Sequence, residues 1–211
     1  MRLDHVSYAA EHDGLSATAE RLAKLIGVDP VDGGVHPRFG TRNVTLPLAR
    51  RRYVEVVEVL DHPASYRAPF GQAVRARSEA GGGWLGWVIR VDDIRTAEAR
   101  VGRPAADGYR HTPDGQELRW KQVGVKGLIA DPQLPFYVEW DPTSRHPSED
   151  ANTDVTICAL EIAGSPSRVR EWLGVPPSYR PKTLDFTFVC PHGTPGLMSV
   201  TFNTPEGPVV I

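Results

Sequence analysis

Two cysteines in 211 residues are too few for a disulfide framework, and Cys158 and Cys190 stand too far apart for a zinc motif. Both lie in apolar, strand-like runs, VTICALEI and LDFTFVC, where they read as small buried residues. Long hydrophobic runs are missing as well: none approaches the roughly 20 residues that cross a bilayer. The opening MRLDHVSYAAEHDG has acids and no long apolar core, unlike a signal peptide, so a cytoplasmic protein with no membrane partner is expected. Charge of one sign is not in excess. Lys and Arg number 24 against 26 Asp and Glu, a net charge of −2, and nothing in that balance asks for nucleic acid. The sequence has no phosphate-binding glycine loop, no G-x-G-x-x-G after its first strand and no nucleophile elbow. AGGGW, Ala80 to Trp84, precedes a strand and so lacks the helix N-terminus that cradles phosphate.

What is present is an ordinary globular composition, 40% hydrophobic and 24% charged, with length for one large domain or two small ones. Its strongest signal is repetition. RLDHVSYAA reads as a strand. LSATAERLAKLIGVDP places Leu15, Ala19, Leu22 and Leu25–Ile26 at helical spacing, and Gly27 closes it. GGVHPRFGTRNVTLPL and RRYVEVVEVLD follow as strands, the second with Tyr53, Glu55, Val57 and Val59 on one face. The order returns in WLGWVIRVDD, the Asp-capped helix DIRTAEARVGR, a hairpin turning at Pro113-Asp114-Gly115, and LPFYVEWD. It returns again in VTICALEIAG, the helix SPSRVREWLGV with Ser165 as N-cap and Pro166 at N1, then LDFTFVC, LMSVTFNT and GPVVI. The repeated unit is βαβββ. Between the units, HPASYRAPFGQAVRARSEAGGG reads as a loop and a helix over residues 71–80, and DPTSRHPSEDANTD as an exposed linker.

A βαβββ repeat opening on LDHVSYA resembles the vicinal oxygen chelate superfamily, which includes glyoxalase I, ring-opening dioxygenases and bleomycin-resistance proteins. The resemblance rests on Leu3-Asp4-His5, on His36-Pro37-Arg38-Phe39-Gly40-Thr41-Arg42-Asn43 and on Tyr53-Val54-Glu55. It implies an α+β fold in which repeated βαβββ modules form curled mixed sheets around a cavity. The paired modules are expected over 1–141 (1–62 and 84–141), with a third βαβββ unit, 154–211, packed on the pair.

The resemblance also implies metal ligands on the first and last strand of each module. His5 and Glu55 occupy two such places in the first module. Laying LGWVIRV over LDHVSYA puts Trp87 where a second histidine would stand. Laying FYVEWD over RYVEVV puts Glu139 where Glu55 stands. Indole has no lone pair for a metal. His5, Glu55 and Glu139 would then hold a divalent cation such as Mg, Mn, Fe or Zn, with Glu55 and Glu139 as the catalytic carboxylates. A metal-free cavity, in which His5 and Glu55 bond each other or a ligand, is the competing reading.

Arg42 and Asn43 offer a forked cation and a donor–acceptor pair, suited to orienting a carboxylate or carbonyl. His36 is a candidate base or replacement ligand. Trp87 and Trp120, among Trp84, Trp87, Trp120 and Trp140, are candidate cavity walls for a planar or aliphatic ligand. The function expected is a small-molecule lyase, isomerase or dioxygenase acting on a carbonyl or vicinal oxygens. The alternative is a metal-free binding protein of the bleomycin-resistance type. A homodimer fits either.

Overall fold

The computed structural model describes residues 2–189 and 193–211, so Cys190 lies outside the described residues. The first module runs β1 (Arg2–Ala9), α1 (Leu15–Ile26), β2 (Val31–His36), β3 (Thr41–Leu48) and β4 (Arg52–Val59). Helices α2 (Pro63–Arg67) and α3 (Pro69–Glu79) lead to β5 (Gly83–Arg90), α4 (Ile94–Val101), β6 (Ala106–His111), β7 (Glu117–Val123), α5 (Gly127–Ala130) and β8 (Phe136–Trp140). Then come β9 (Thr156–Ala163), α6 (Pro166–Leu173), β10 (Asp185–Val189), β11 (Gly196–Thr204) and β12 (Gly207–Val210).

Local chemistry sets the helix ends. Helix α1 buries Leu15, Ala19, Leu22, Ala23 and Ile26, one stripe at helical spacing, and stops where Gly27 turns left-handed at φ 71°. Asp93 caps α4 through the Arg95 N–H, and Ser165 caps α6 through the Arg168 N–H with Pro166 next to it.

The first eight strands close into a barrel in the order β1-β4-β3-β2-β6-β7-β8-β5. Closure removes every free edge of that sheet. Each half runs its first strand parallel to its fourth, with His5 beside Tyr53 and Val88 beside Phe136. The halves meet at two antiparallel seams. In one, His5 lies opposite Val88; the other, β2 against β6, is held by the single pair Val35–His111. His5 and Val88, partners across a seam, are therefore equivalent positions of the two halves, as are Tyr53 and Phe136.

The remaining strands form a separate sheet, β10-β9-β11-β12. Its element order matches the barrel halves but its pairing does not. Strand β9 runs parallel to β10 and antiparallel to β11, whereas β1 runs parallel to β4. The sheet covers the barrel's outer face: Val6, Val54, Val56 and Trp87 share one core with Ile157, Leu160, Ile162 and Phe202. Ile157, Leu160 and Phe202 are 0% exposed, and each such burial stabilises by about 1.5–3 kcal/mol. Arg52 joins the two layers, donating to the Ile157 carbonyl at 2.6 Å and to the Thr183 carbonyl at 3.2 Å. A second core fills the barrel under α3 and α5, where Phe70, Val74 and Leu128 meet Phe39, Phe136 and Val138. Among the described residues no helix is long and apolar enough to cross a membrane.

Candidate active site

The barrel interior holds a polar cluster built mainly by its first half. Alternate residues of a strand face opposite ways, so His5 and Ser7 of β1, and Tyr53 and Glu55 of β4, all point inward. At Asp4 the register against β5 shifts, a bulge that turns this side chain back along the barrel.

Asp4 is 0% exposed and heavily bonded. It accepts from His5 Nδ1 at 2.9 Å, His146 Nε2 at 3.2 Å, Arg90 Nη1 at 3.3 Å and Trp140 Nε1 at 3.3 Å. Burial pushes its carboxyl up, but the hydrogen bonds from His146 and His5 and their charges outweigh that and hold it well below the usual carboxylate range. An ionised Asp4 requires the His5 proton on Nδ1, which turns Nε2 toward the interior. There it lies 3.8 Å from Glu55 Oε2. Tyr53 stacks on the His5 ring with centroids 4.5 Å apart, fixing its plane.

Glu55 is buried and occupied on both oxygens. Ser7 Oγ donates to Oε2 at 2.8 Å, and Asn43 Nδ2 donates to Oε1 at 2.9 Å. Burial works against the anion, but facing His5 and His36 and the Ser7 and Asn43 hydrogen bonds win, so Glu55 sits below its ordinary value. Behind Asn43 stands Arg110 of β6, whose Nη1 donates to Asn43 Oδ1 at 3.0 Å. Arg110 is buried and its Nε has no partner among the described residues. Gly33 makes this contact possible, since a Cβ there would overlap Asn43 Oδ1 and Arg110 Nη1. Beside it, Gly34 has φ 87°, and its missing Cβ leaves room for the His111 carbonyl across the β2–β6 seam.

His36 closes the other side. Its Nδ1 lies 2.9 Å from Thr41 Oγ1, and its ring is edge-on to Phe70 and Trp120. Burial among these rings pulls it down to about 4, so it is neutral at pH 7. The free space left inside is only about 30 Å³, bounded by His5, His36, Tyr53, Glu55, Arg110 and Gln122 among others. That is room for a water-sized group.

The structure brings His5, Glu55, Asn43, His36 and Trp120 together, and separates Glu139, Trp87 and Arg42 from them. Because Phe136 is the equivalent of Tyr53, the equivalent of Glu55 is Val138, and Glu139 is one residue further on. Glu139 therefore leaves the barrel wall on its outer face and accepts from the Ile94 N–H of α4 at 2.6 Å. Trp87 precedes Val88, the equivalent of His5, and likewise points outward. It packs against Phe186 and donates to the Gln133 carbonyl at 3.1 Å. Both displacements are single-residue slips, and one residue reverses the face of a strand. Arg42 also faces out, where its exposed guanidinium pairs with Glu58.

Ser7, Arg110 and Gln122 complete the site without having been singled out in the sequence, and Asp4, which stood there only within Leu3-Asp4-His5 and with no role of its own, joins them. The Gly33–Gly34 pair was the available sign of a close approach near Arg110. The segment expected as an exposed linker folds under the barrel instead, burying His146 and Ser148, because His146 fills the space between Asp4, Tyr53 and Trp140.

These donors do not fit a divalent metal. His5 and Glu55 converge, but their equivalents across the barrel, Val88 and Val138, offer nothing. Both Glu55 oxygens already accept hydrogen bonds, and the Arg110 cation stands behind Asn43. Among the described residues no three His, Cys, Asp or Glu side chains are grouped to hold a metal ion.

Comparison with known proteins gives the lineage. A family model described as a glyoxalase-like domain matches residues 3–175. No curated protein matches the chain. The crystal structure of a hypothetical protein from Staphylococcus aureus is similar over 98% of this chain and 92% of that one, with TM-score 0.71 and 13% identity. A methylmalonyl-CoA epimerase from Streptomyces coelicolor in complex with 2-nitronate-propionyl-CoA is similar over 68% of this chain and 99% of that one, with TM-score 0.47 and 16% identity. With the family model matched over most of the chain and two βαβββ modules closed around a shared interior, the chain belongs to the glyoxalase-like domain family.

Proposed function

We propose that the protein is a small-molecule enzyme that moves a proton on a carbonyl compound with side chains alone. The observation that carries this reading is Glu55: a buried carboxylate, held on each oxygen by a neutral donor, with His5 Nε2 3.8 Å away. A carboxylate so fixed is a general base of defined direction. It would take the proton from the carbon next to a carbonyl. Negative charge then grows on the carbonyl oxygen, and Arg110 has an unpartnered N–H to offer it. Asp4 holds the His5 proton on Nδ1, leaving Nε2 to receive or return a proton at the interior. The donor set supports no step through a divalent metal, so the metal on His5, Glu55 and Glu139 expected from the sequence is not part of this mechanism.

Non-catalytic binding is the second reading, favoured by the roughly 30 Å³ of free interior, which admits the reacting end of a ligand and little more. Proton exchange separates the two. The protein is incubated in D2O with a panel of aliphatic and aromatic ketones and 2-oxo acids, and loss of the α-proton signal is followed by NMR. Exchange that is faster than buffer in the natural protein and abolished in Glu55→Gln supports the enzyme. Saturable binding without exchange for any compound establishes the binder.

A further inference from the structure

The structure assigns a second feature to this site: an outer cleft built for a small apolar molecule that carries an anionic group away from its reacting end. The inference rests on the interior being the place of reaction, and it names the class of substrate. The cleft has a volume of about 810 Å³, within the ~300–1,000 Å³ usual for ligand sites. It is bounded by α2, α3, α5, the segment after α4 and the near side of α6. Phe39, Phe70 and Gln122 line both this cleft and the interior chamber, so they are the partition between the two. A molecule lying in the cleft meets the reactive chamber end-on at these three residues.

The walls say what kind of molecule. Phe39, Phe70, Val125, Leu134 and Trp172 give an apolar floor. Around it stand Arg38, Arg67, Arg103, Lys126 and Arg168, against a single acid, Asp131, which Arg168 already binds at 3.2 Å. Among the described residues Arg38, Arg67, Arg103 and Lys126 have no carboxylate partner. Six arginines elsewhere, Arg2, Arg21, Arg42, Arg95, Arg119 and Arg145, are each paired with Asp or Glu; other exposed cations, such as Lys24, Arg50, Arg51 and Lys182, are not paired among the described residues, but none of these lines a cavity with an apolar floor. The chain as a whole carries −2, so the cationic cleft runs against its net charge. The other large cavity, about 700 Å³ and reached on the Arg110 side, shows the contrast. Its walls carry Asp29, Asp32, Asp114 and Asp150 against Arg110 and Arg145. Uncompensated cations around an apolar floor select an amphiphilic anion, because the apolar body is removed from water while the head keeps its counter-charge. A carboxylate and a phosphate monoester share that chemistry.

Calorimetric titration with octanoate, octyl phosphate and octanol tests it, using the full chain. Both anions are expected to bind at least tenfold tighter than octanol, and their affinity to fall with added salt. The triple charge reversal Arg67→Glu, Arg103→Glu, Lys126→Glu should weaken the anions at least tenfold while leaving the melting temperature nearly unchanged, since all three side chains are exposed. Phe70→Ala, if it folds, should weaken anions and octanol alike. Equal binding of octanol and the anions, or anion binding that survives the charge reversal, overturns the assignment. Glu55→Gln should bind octyl phosphate as the natural protein does. Loss of proton exchange with that binding intact therefore concerns the interior, and loss of anion selectivity with exchange intact concerns the cleft alone.

Discussion

The two halves of the barrel share a strand order and differ in chemistry. On the first half the positions beside the seam are His5 and Glu55; on the second they are Val88 and Val138. The first half also supplies Ser7, His36 and Asn43, while the second supplies mostly walls: Trp120, Phe136, Val138 and Trp140, with Arg110 and Gln122 as its polar contribution. A metal centre at the axis needs ligands from both halves, because three or four donors must converge from several directions. An acid–base site needs only one well-held carboxylate and a partner. The asymmetry thus favours proton transfer by one half in a container completed by the other.

The strongest test of that division is Glu55→Gln. A positioned general base contributes about 10²–10⁴ in rate, so proton exchange should fall by about a thousandfold. Conservative change of a second-half wall, Val138→Ile, should cost less than tenfold. Equal losses for the two would show that the halves share the chemistry after all.

Next in size is the pH dependence of stability. In the unfolded chain His36 takes its proton near 6.5, but in the barrel only near 4. As pH falls through that window the unfolded chain binds a proton the folded one refuses. The stability contributed by neutral His36 is therefore complete above 6.5 and lost by about 4, a change of about 3 kcal/mol. His146, also lowered by burial, loses stability in the same direction. Asp4 and Glu55, both held below their ordinary values, add their losses at lower pH. Urea midpoints measured from pH 7.5 to 4.5 should drop steadily, with a shallower slope in His36→Phe. An unchanged slope would mean that His36 titrates freely.

Gly33→Ala is a smaller blow aimed at the polar bridge that joins the halves through Asn43 and Arg110. The new methyl would displace Asn43 or Arg110, since its Cβ falls on both. Overpacking of this kind costs about 1–3 kcal/mol. The exchange rate should fall more than stability alone explains, because Glu55 loses the support of a correctly placed Asn43. A variant as stable and as active as the natural protein would show that the Asn43–Arg110 contact does not matter.

How much of this could be read from the chain follows from the same asymmetry. The βαβββ order, the Gly27 and Ser165 helix ends and the inward face of β4 were all legible, because they rest on periodicity and capping within a few residues. The register of the second half was not. Strands β5 and β8 are buried on both faces over most of their length, the outer one under the β9–β12 sheet and α4, so apolar residues occupy both alternate sets and the period of two disappears. Tyr137-Val138-Glu139 therefore looks like Tyr53-Val54-Glu55, though its glutamate faces the other way. Arg110 was hidden for a different reason: its role depends on Asn43, 67 residues away, and nothing local marks it.

The smallest expected effect makes the register difference measurable. Glu139 accepts the first free N–H of α4, a capping role worth about 0.5–2 kcal/mol when removed. Glu139→Ala should therefore lower the melting temperature by a few degrees and leave proton exchange where it was. Glu139→Gln, which keeps an acceptor oxygen, should recover most of that stability. In two segments of nearly the same sequence, one glutamate would then move rate with little stability and the other stability with no rate. If Glu139→Ala instead abolished exchange, Glu139 would have to reach the interior, and the pairing of Val88 with Phe136 that defines the second half could not hold.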